Sequence, residues 1–340
     1  MNAVKFLLLL PVLACALAAS AQTVTLKLHH FLPAGSTAQT LFIKPWCDRV
    51  AQDSGNKIKC QIYPSMQLGG TPAQLFDQVK DGVVDVTWTL LGYSPGRFSL
   101  VEVFELPFMM QSPEATSKAV WDYVQLHDQA EFKDVHPLAF HVHGDGVFHM
   151  VSKPITVMAD LKDQKVRAPT RQTNKMLAAL GATPMAMPAP QVSEALAKSV
   201  IDGALLPYEV VPAVKIQELV KFHSETDPSE PAVYTSVFVL AMNRAKYDSL
   251  PPDLKKVIDA NSGKAMSGLA GKAFLAADVE GKKLTTKNTT NVISKSELVA
   301  WKKVGQTVTD TWVADVTAKG ANGKQLLDSA RALIAKNTDR

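Results

Sequence analysis

Residues Asp160–Pro207 read DLKDQKVRAPTRQTNKMLAALGATPMAMPAPQVSEALAKSVIDGALLP. A short apolar-alternating run ends at Arg167, and Ala168-Pro169-Thr170 breaks it. A helical pattern runs from Asn174 to Leu180 and stops at Gly181. A second short run, Thr183 to Met187, leads into another helical pattern, Gln191 to Ser199. Val200-Ile201-Asp202-Gly203 then opens the next strand. This strand–helix alternation predicts an open α/β sheet. It sets an always-charged guanidinium at a strand end, where such sheets put their ligands. A planar fork of donors at that place suits a carboxylate; a surface ion pair is the plainer alternative for any single arginine.

The order LK-x-x-K-V-R-A-P, A-x-x-x-L-G-A-T-P, Q-V-x-E-A-L and V-I-D-G resembles the solute-binding proteins of tripartite ATP-independent periplasmic (TRAP) transporters, of the dicarboxylate- and sialate-binding type. Further matching segments are Pro64-Ser65-Met66-Gln67-Leu68-Gly69, Phe104-Glu105-Leu106-Pro107-Phe108, and the run from Asn243 through Leu250-Pro251-Pro252-Asp253-Leu254. The resemblance covers nearly the whole chain after the leader. It implies an α/β, two-lobed periplasmic binding protein, a clamshell of type II-like topology with a long helix along both lobes. It also implies that Arg167 clamps a substrate carboxylate.

Lys5 is the only charge in the first 26 residues, and an apolar run, Phe6 to Ala19, follows it. Ala19-Ser20-Ala21 before Gln22 reads as a cleavage site, so residues 1–21 are expected to be a signal peptide. The apolar run is too short for a membrane span. A lipoprotein signal using Cys15 is the alternative, with Val12-Leu13-Ala14 a poor match to its pattern. The remainder is long enough for two cores. Residues 22–144 with 232–270 are expected to form one lobe, and 145–231 with 271–340 the other.

The net charge of +4 is evenly spread, without a basic stripe interleaved with aromatics, which argues against nucleic acid as a partner. Two cysteines follow the leader, Cys47 on a helical pattern and Cys60 on the next strand. In an exported chain an even count favours a disulfide over two buried thiols.

Candidate ligand contacts come from several strand ends. Thr23–His30 alternates as a strand, and its end places His30 at the pocket. Val83–Thr89 is another strand; Trp88 would wall the pocket or pack in the core, and Tyr93 on its exit loop offers a phenol. In His141-Val142-His143-Gly144-Asp145-Gly146-Val147-Phe148-His149 the glycines read as a hinge between lobes. Relatives place a second arginine just after that hinge; here the position holds Val147 or Phe148, with His149 a partial substitute. A dicarboxylate's second charge would therefore be buried without a partner. Thr170, Leu206, Tyr208, Glu209 and Thr235 complete the candidates, and Arg171 reads as exposed on the first helical turn.

A metal reading of His141, His143 and Asp145 lacks any supporting ligand motif. The chain has no G-x-S-x-G, no G-x-G-x-x-G and no phosphate loop. The reading is therefore a periplasmic receptor, not an enzyme, without cofactor, expected to act as a monomer. Its expected partners are a small organic acid and TRAP membrane subunits. The acid is a monocarboxylate with an apolar or aromatic body, or a hydroxy- or keto-acid. A C4-dicarboxylate or sugar acid, a ligand-sensing subunit and a periplasmic enzyme are the alternatives.

Overall fold

The structure, a computed structural model, describes residues 23–338; the expected signal peptide, Cys15 and the Ala21–Gln22 junction lie outside them. Eleven strands are present among the described residues: β1 (Val24–His30), β2 (Ile58–Tyr63), β3 (Val86–Leu90), β4 (Val135–Val142), β5 (Val147–Met150), β6 (Lys165–Ala168), β7 (Thr183–Ala186), β8 (Gly203–Leu206), β9 (Phe222–Thr226), β10 (Val237–Asn243) and β11 (Thr289–Ile293). They form two sheets, ordered β2-β1-β3-β10-β4 and β11-β9-β5-β8-β6-β7. The molecule is thus the two-lobed α/β fold expected.

The chain crosses between the sheets after β4 and again after β9. The strand that follows each crossing, β5 or β10, runs antiparallel to both of its neighbours. The other pairings are parallel. The two crossing segments are tied together. Gly146 N donates to Tyr234 O at 3.3 Å, and the Thr235 hydroxyl donates to His143 O at 2.9 Å.

The glycines at this crossing serve close packing. Neither Gly144 nor Gly146 has a positive φ. A Cβ on Gly146 would lie 1.8 Å from the Tyr234 ring, and one on Gly144 would lie 1.7 Å from Asp278 Oδ2.

Local signals place the helices. Ser112 caps the helix Pro113–His127, its hydroxyl accepting from Ala115 N, with Pro113 at the first helical position. Thr170 caps Arg171–Ala179 and accepts from Thr173 N. The long helix Gly263–Lys283 packs on Pro113 and Lys118 near its start and on Tyr208 near its end, so it runs beside both lobes. The helical pattern expected from Pro252 to Leu284 is interrupted at Asn261–Ser262, where Gly263 takes φ +88°. Helix Lys295–Ala318 also spans the two lobes: Trp301 packs on Phe148, and Trp312 Nε1 donates to Ser99 O.

After β8 the chain makes three short helical turns, Tyr208–Val210, Val211–Val214 and Ile216–Glu218, broken at Lys215, whose φ is +56°. Cys47, on helix Lys44–Asp53, and Cys60, on β2, form a disulfide with Cα atoms 5.7 Å apart. No helix among the described residues is long and apolar enough to cross a membrane.

Candidate functional site

A cavity with roughly 360 Å³ of empty space, part of it open to solvent, lies between the lobes. It sits beyond the carboxyl ends of β1 and β3 on one side and of β6 and β8 on the other, the place open α/β sheets reserve for ligands.

Arg167, the third residue of β6, reaches the cavity while only 1% exposed. Its Nε donates to Met187 O and its Nη1 to Leu205 O, both at 2.9 Å. These two bonds fix the guanidinium plane. Nη2 takes part in neither bond, and the Tyr93 hydroxyl lies beside the guanidinium. Pro169 and the capped helix at Thr170 carry the backbone away immediately after the arginine.

The opposite wall is aromatic. Trp88 stacks on Phe31 at 5.0 Å and on Phe238 at 4.8 Å, with the latter rings only 5° from parallel. Trp88 Nε1 donates to His141 Nε2 at 2.8 Å, which satisfies the buried indole. Tyr93 closes the side next to Arg167, its hydroxyl accepting from Ala189 N at 2.9 Å. Burial holds the Tyr93 phenol above its ordinary range, against the pull of Arg167. Leu206 and Leu90 add aliphatic wall.

Four further polar side chains face this cavity. His143 is driven to about 4 by burial; it is neutral, and its Nδ1 donates to Gly144 O at 2.6 Å. The Tyr234 hydroxyl, Ser236 Oγ and Glu209 Oε2 are buried without a protein partner. Burial, and then the charge of Asp278, hold the Glu209 carboxyl well above the usual carboxylate range. Arg167 is the only cation lining the cavity among the described residues.

Of the residues singled out from the sequence, Arg167, Trp88, Tyr93, Leu206 and Glu209 line the cavity. The others do not. His30 is the last residue of β1 and points behind the wall, its Nε2 bonded to Gln39 Oε1 at 2.9 Å; Phe31 and Leu32, just past the strand, line the cavity instead. Phe148 is core, edge-on to Trp301. His149 lies behind Leu206, donating from Nε2 to Leu206 O at 3.0 Å and accepting at Nδ1 from His223 at 2.6 Å. Tyr208 turns away and donates to Glu225 Oε1 at 2.7 Å. Thr170 is spent on its helix cap, and Thr235 on the crossing.

His141 and His143 have separate partners, and no group of three or more metal-ligating side chains forms among the described residues. Arg171, expected on an exposed turn, instead reaches Glu102 across the cleft, with Nη2 2.5 Å from Oε2. The sequence reading missed Phe31 and Phe238 as cavity walls, whereas the resemblance had already pointed to Tyr234 and Ser236 beside Thr235.

Two lobes closing on a buried cation and an apolar cavity define an extracytoplasmic receptor for a small solute. The chain belongs to the bacterial extracellular solute-binding protein family 7, whose model matches residues 28–315. It is a periplasmic solute-binding protein of the TRAP type. Its structure is similar to that of a TRAP solute-binding protein from Rhodoferax ferrireducens in complex with copurified benzoate. The two are 52% identical with a TM-score of 0.92, over 93% of this chain and 99% of that one. It is also similar to a marine metagenome TRAP solute-binding protein specific for aromatic acid ligands, in complex with 3-hydroxybenzoate: 43% identical, TM-score 0.91, over 93% and 99% of the two chains. A Bordetella bronchiseptica TRAP protein with bound (R)- and (S)-mandelate is 28% identical, with a TM-score of 0.85, over 92% and 99%.

Proposed function

We propose that this chain captures an aromatic monocarboxylate in the periplasm and delivers it to TRAP membrane subunits. The observation that carries this reading is the pairing of one cation, Arg167, with stacked aromatic walls, Phe31, Trp88 and Phe238. A carboxylate at the guanidinium gains charge-assisted hydrogen bonds. A ring then fits the apolar space beyond. With no second cation lining the cavity among the described residues, the far carboxylate of a dicarboxylate would be buried unpaired. The ligands of the Rhodoferax, metagenome and Bordetella proteins support the same class.

In this reading the ligand contacts both lobes and so favours the closed state by its differential affinity. The protein acts as a monomer after cleavage following Ala21. It binds without turnover and needs no cofactor.

A thermal-shift panel tests the proposal. A ligand at 100 times its dissociation constant adds about 2.7 kcal/mol to stability. Benzoate and its close relatives are expected to raise the melting temperature, while succinate, glucuronate and neutral sugars leave it in place. A shift with succinate and none with any aromatic acid would sink the proposal.

A further inference from the structure

An apolar cavity built for benzoate alone has no use for unpaired polar groups. This one holds several. The Tyr234 hydroxyl, Ser236 Oγ and Glu209 Oε2 are buried, line the cavity and lack a protein partner. Tyr234 is 2% exposed, Ser236 0% and Glu209 6%. Such groups cost stability unless something binds them, and where they persist in a ligand cavity the ligand is the natural partner.

Their position is as informative as their number. Glu209 follows β8 by three residues, and its backbone is held from both sides: its N donates to Asp278 Oδ1 at 2.8 Å, and its carbonyl accepts from the Thr37 hydroxyl at 3.3 Å. The carboxyl is thereby fixed at the cavity. Tyr234 and Glu209 line the same cavity as Arg167. The Tyr234 ring is locked by Gly146, where a Cβ would collide with it at 1.8 Å. His143, lining the same wall, has Nδ1 committed to Gly144 O, which leaves Nε2 as an acceptor.

Resting on the aromatic-acid reading, we infer that the preferred ligand carries a hydroxyl on its ring, at the 3- or 4-position, received by Glu209 and Tyr234. A phenolic hydroxyl donates one hydrogen bond and accepts others. A carboxyl and a tyrosine hydroxyl together offer both complements. A hydroxyl at the 2-position stays beside the carboxylate, where Arg167 already supplies the partner. A site built to bond a hydroxyl discriminates strongly against the analogue lacking it, because its own polar groups are then left unpaired.

Calorimetric titration of the mature protein with benzoate, 2-, 3- and 4-hydroxybenzoate tests this. The 3- or 4-isomer is expected to bind at least about tenfold tighter than benzoate, and the 2-isomer no tighter than benzoate. In Tyr234→Phe and Glu209→Leu, checked for folding by circular dichroism, that ratio should fall to within about twofold. Glu209→Gln, which still donates and accepts, should retain most of it. Equal binding of benzoate and both far-side isomers overturns the inference and leaves the aromatic-acid reading standing. So does a loss in the two variants that is the same for benzoate and the hydroxybenzoates. Binding of none of the four acids overturns both.

Discussion

Arg171 and Glu102 join the two lobes. Arg171 Nη2 lies 2.5 Å from Glu102 Oε2, and Arg171 Nε approaches Oε1 at 3.1 Å. Glu102 is 5% exposed and also accepts from Gln172 Nε2 at 2.6 Å. Arg171 stands on the helix after β6, and Glu102 on the short turn Val101–Glu105 of the other lobe. The pair therefore ties the helix after β6 to the other lobe in this structure.

Arg171→Ala is expected to loosen closure without touching the ligand. Removing one partner of a largely buried pair leaves the other charge stranded. With Arg171 partly exposed and Gln172 still in place, the loss should be about 1–2 kcal/mol. That corresponds to roughly five- to thirtyfold in affinity, seen mostly as faster ligand release in stopped-flow measurements. Unchanged release would remove the pair from the closing mechanism.

Gly146→Ala is expected to destabilise the crossing. The added methyl meets the Tyr234 ring at 1.8 Å, and that ring is held within the cleft. Overpacking of this kind costs about 1–3 kcal/mol. Chemical denaturation should show a lower midpoint with an unchanged slope. A wild-type midpoint would mean that the crossing tolerates displacement of Tyr234.

Asp278 makes stability depend on pH. Burial, with the charge of Asp145, raises its carboxyl to about 7. From about pH 4 to 7 the folded protein retains a proton that the unfolded chain has released. Stability therefore falls as pH rises through that window, and this group adds no further change above it. Asp278→Asn keeps an acceptor for Glu209 N and removes the ionisation. It should flatten the slope and add up to about 4 kcal/mol at pH 8. A melting-temperature series from pH 4 to 8 checks this; identical slopes in both proteins would contradict it.

Much of this architecture is legible locally. Arg167 stood out because Pro169 and the Thr170 cap mark a strand end beside it. Cys47 and Cys60 were readable as a pair because one turn returns the chain from helix to strand. The aromatic wall was harder to see. Phe31, Trp88 and Phe238 come from β1, β3 and β10, and the ladder that brings them together is non-local. His30 was chosen over Phe31 because alternation identifies the strand but not how the chain turns past its end. β5 and β9 are short, and the left-handed backbone at Lys215, which breaks the helical turns ahead of β9, has no glycine to announce it. The glycines at 144 and 146 mark the crossing between the lobes, and they also admit Asp278 and Tyr234.

The central claim is that Arg167 holds the carboxylate of an aromatic acid. Calorimetric titration of Arg167→Ala and Arg167→Lys against wild type, with the tightest acid of the thermal-shift panel, tests it most directly. Leaving a buried carboxylate unpaired costs about 2–5 kcal/mol, or roughly thirtyfold to several thousandfold in affinity. The lysine variant should recover little, because an ammonium cannot present the planar edge that the bonds to Met187 and Leu205 orient. Near-wild-type affinity in Arg167→Ala, with its circular dichroism unchanged, would contradict the account.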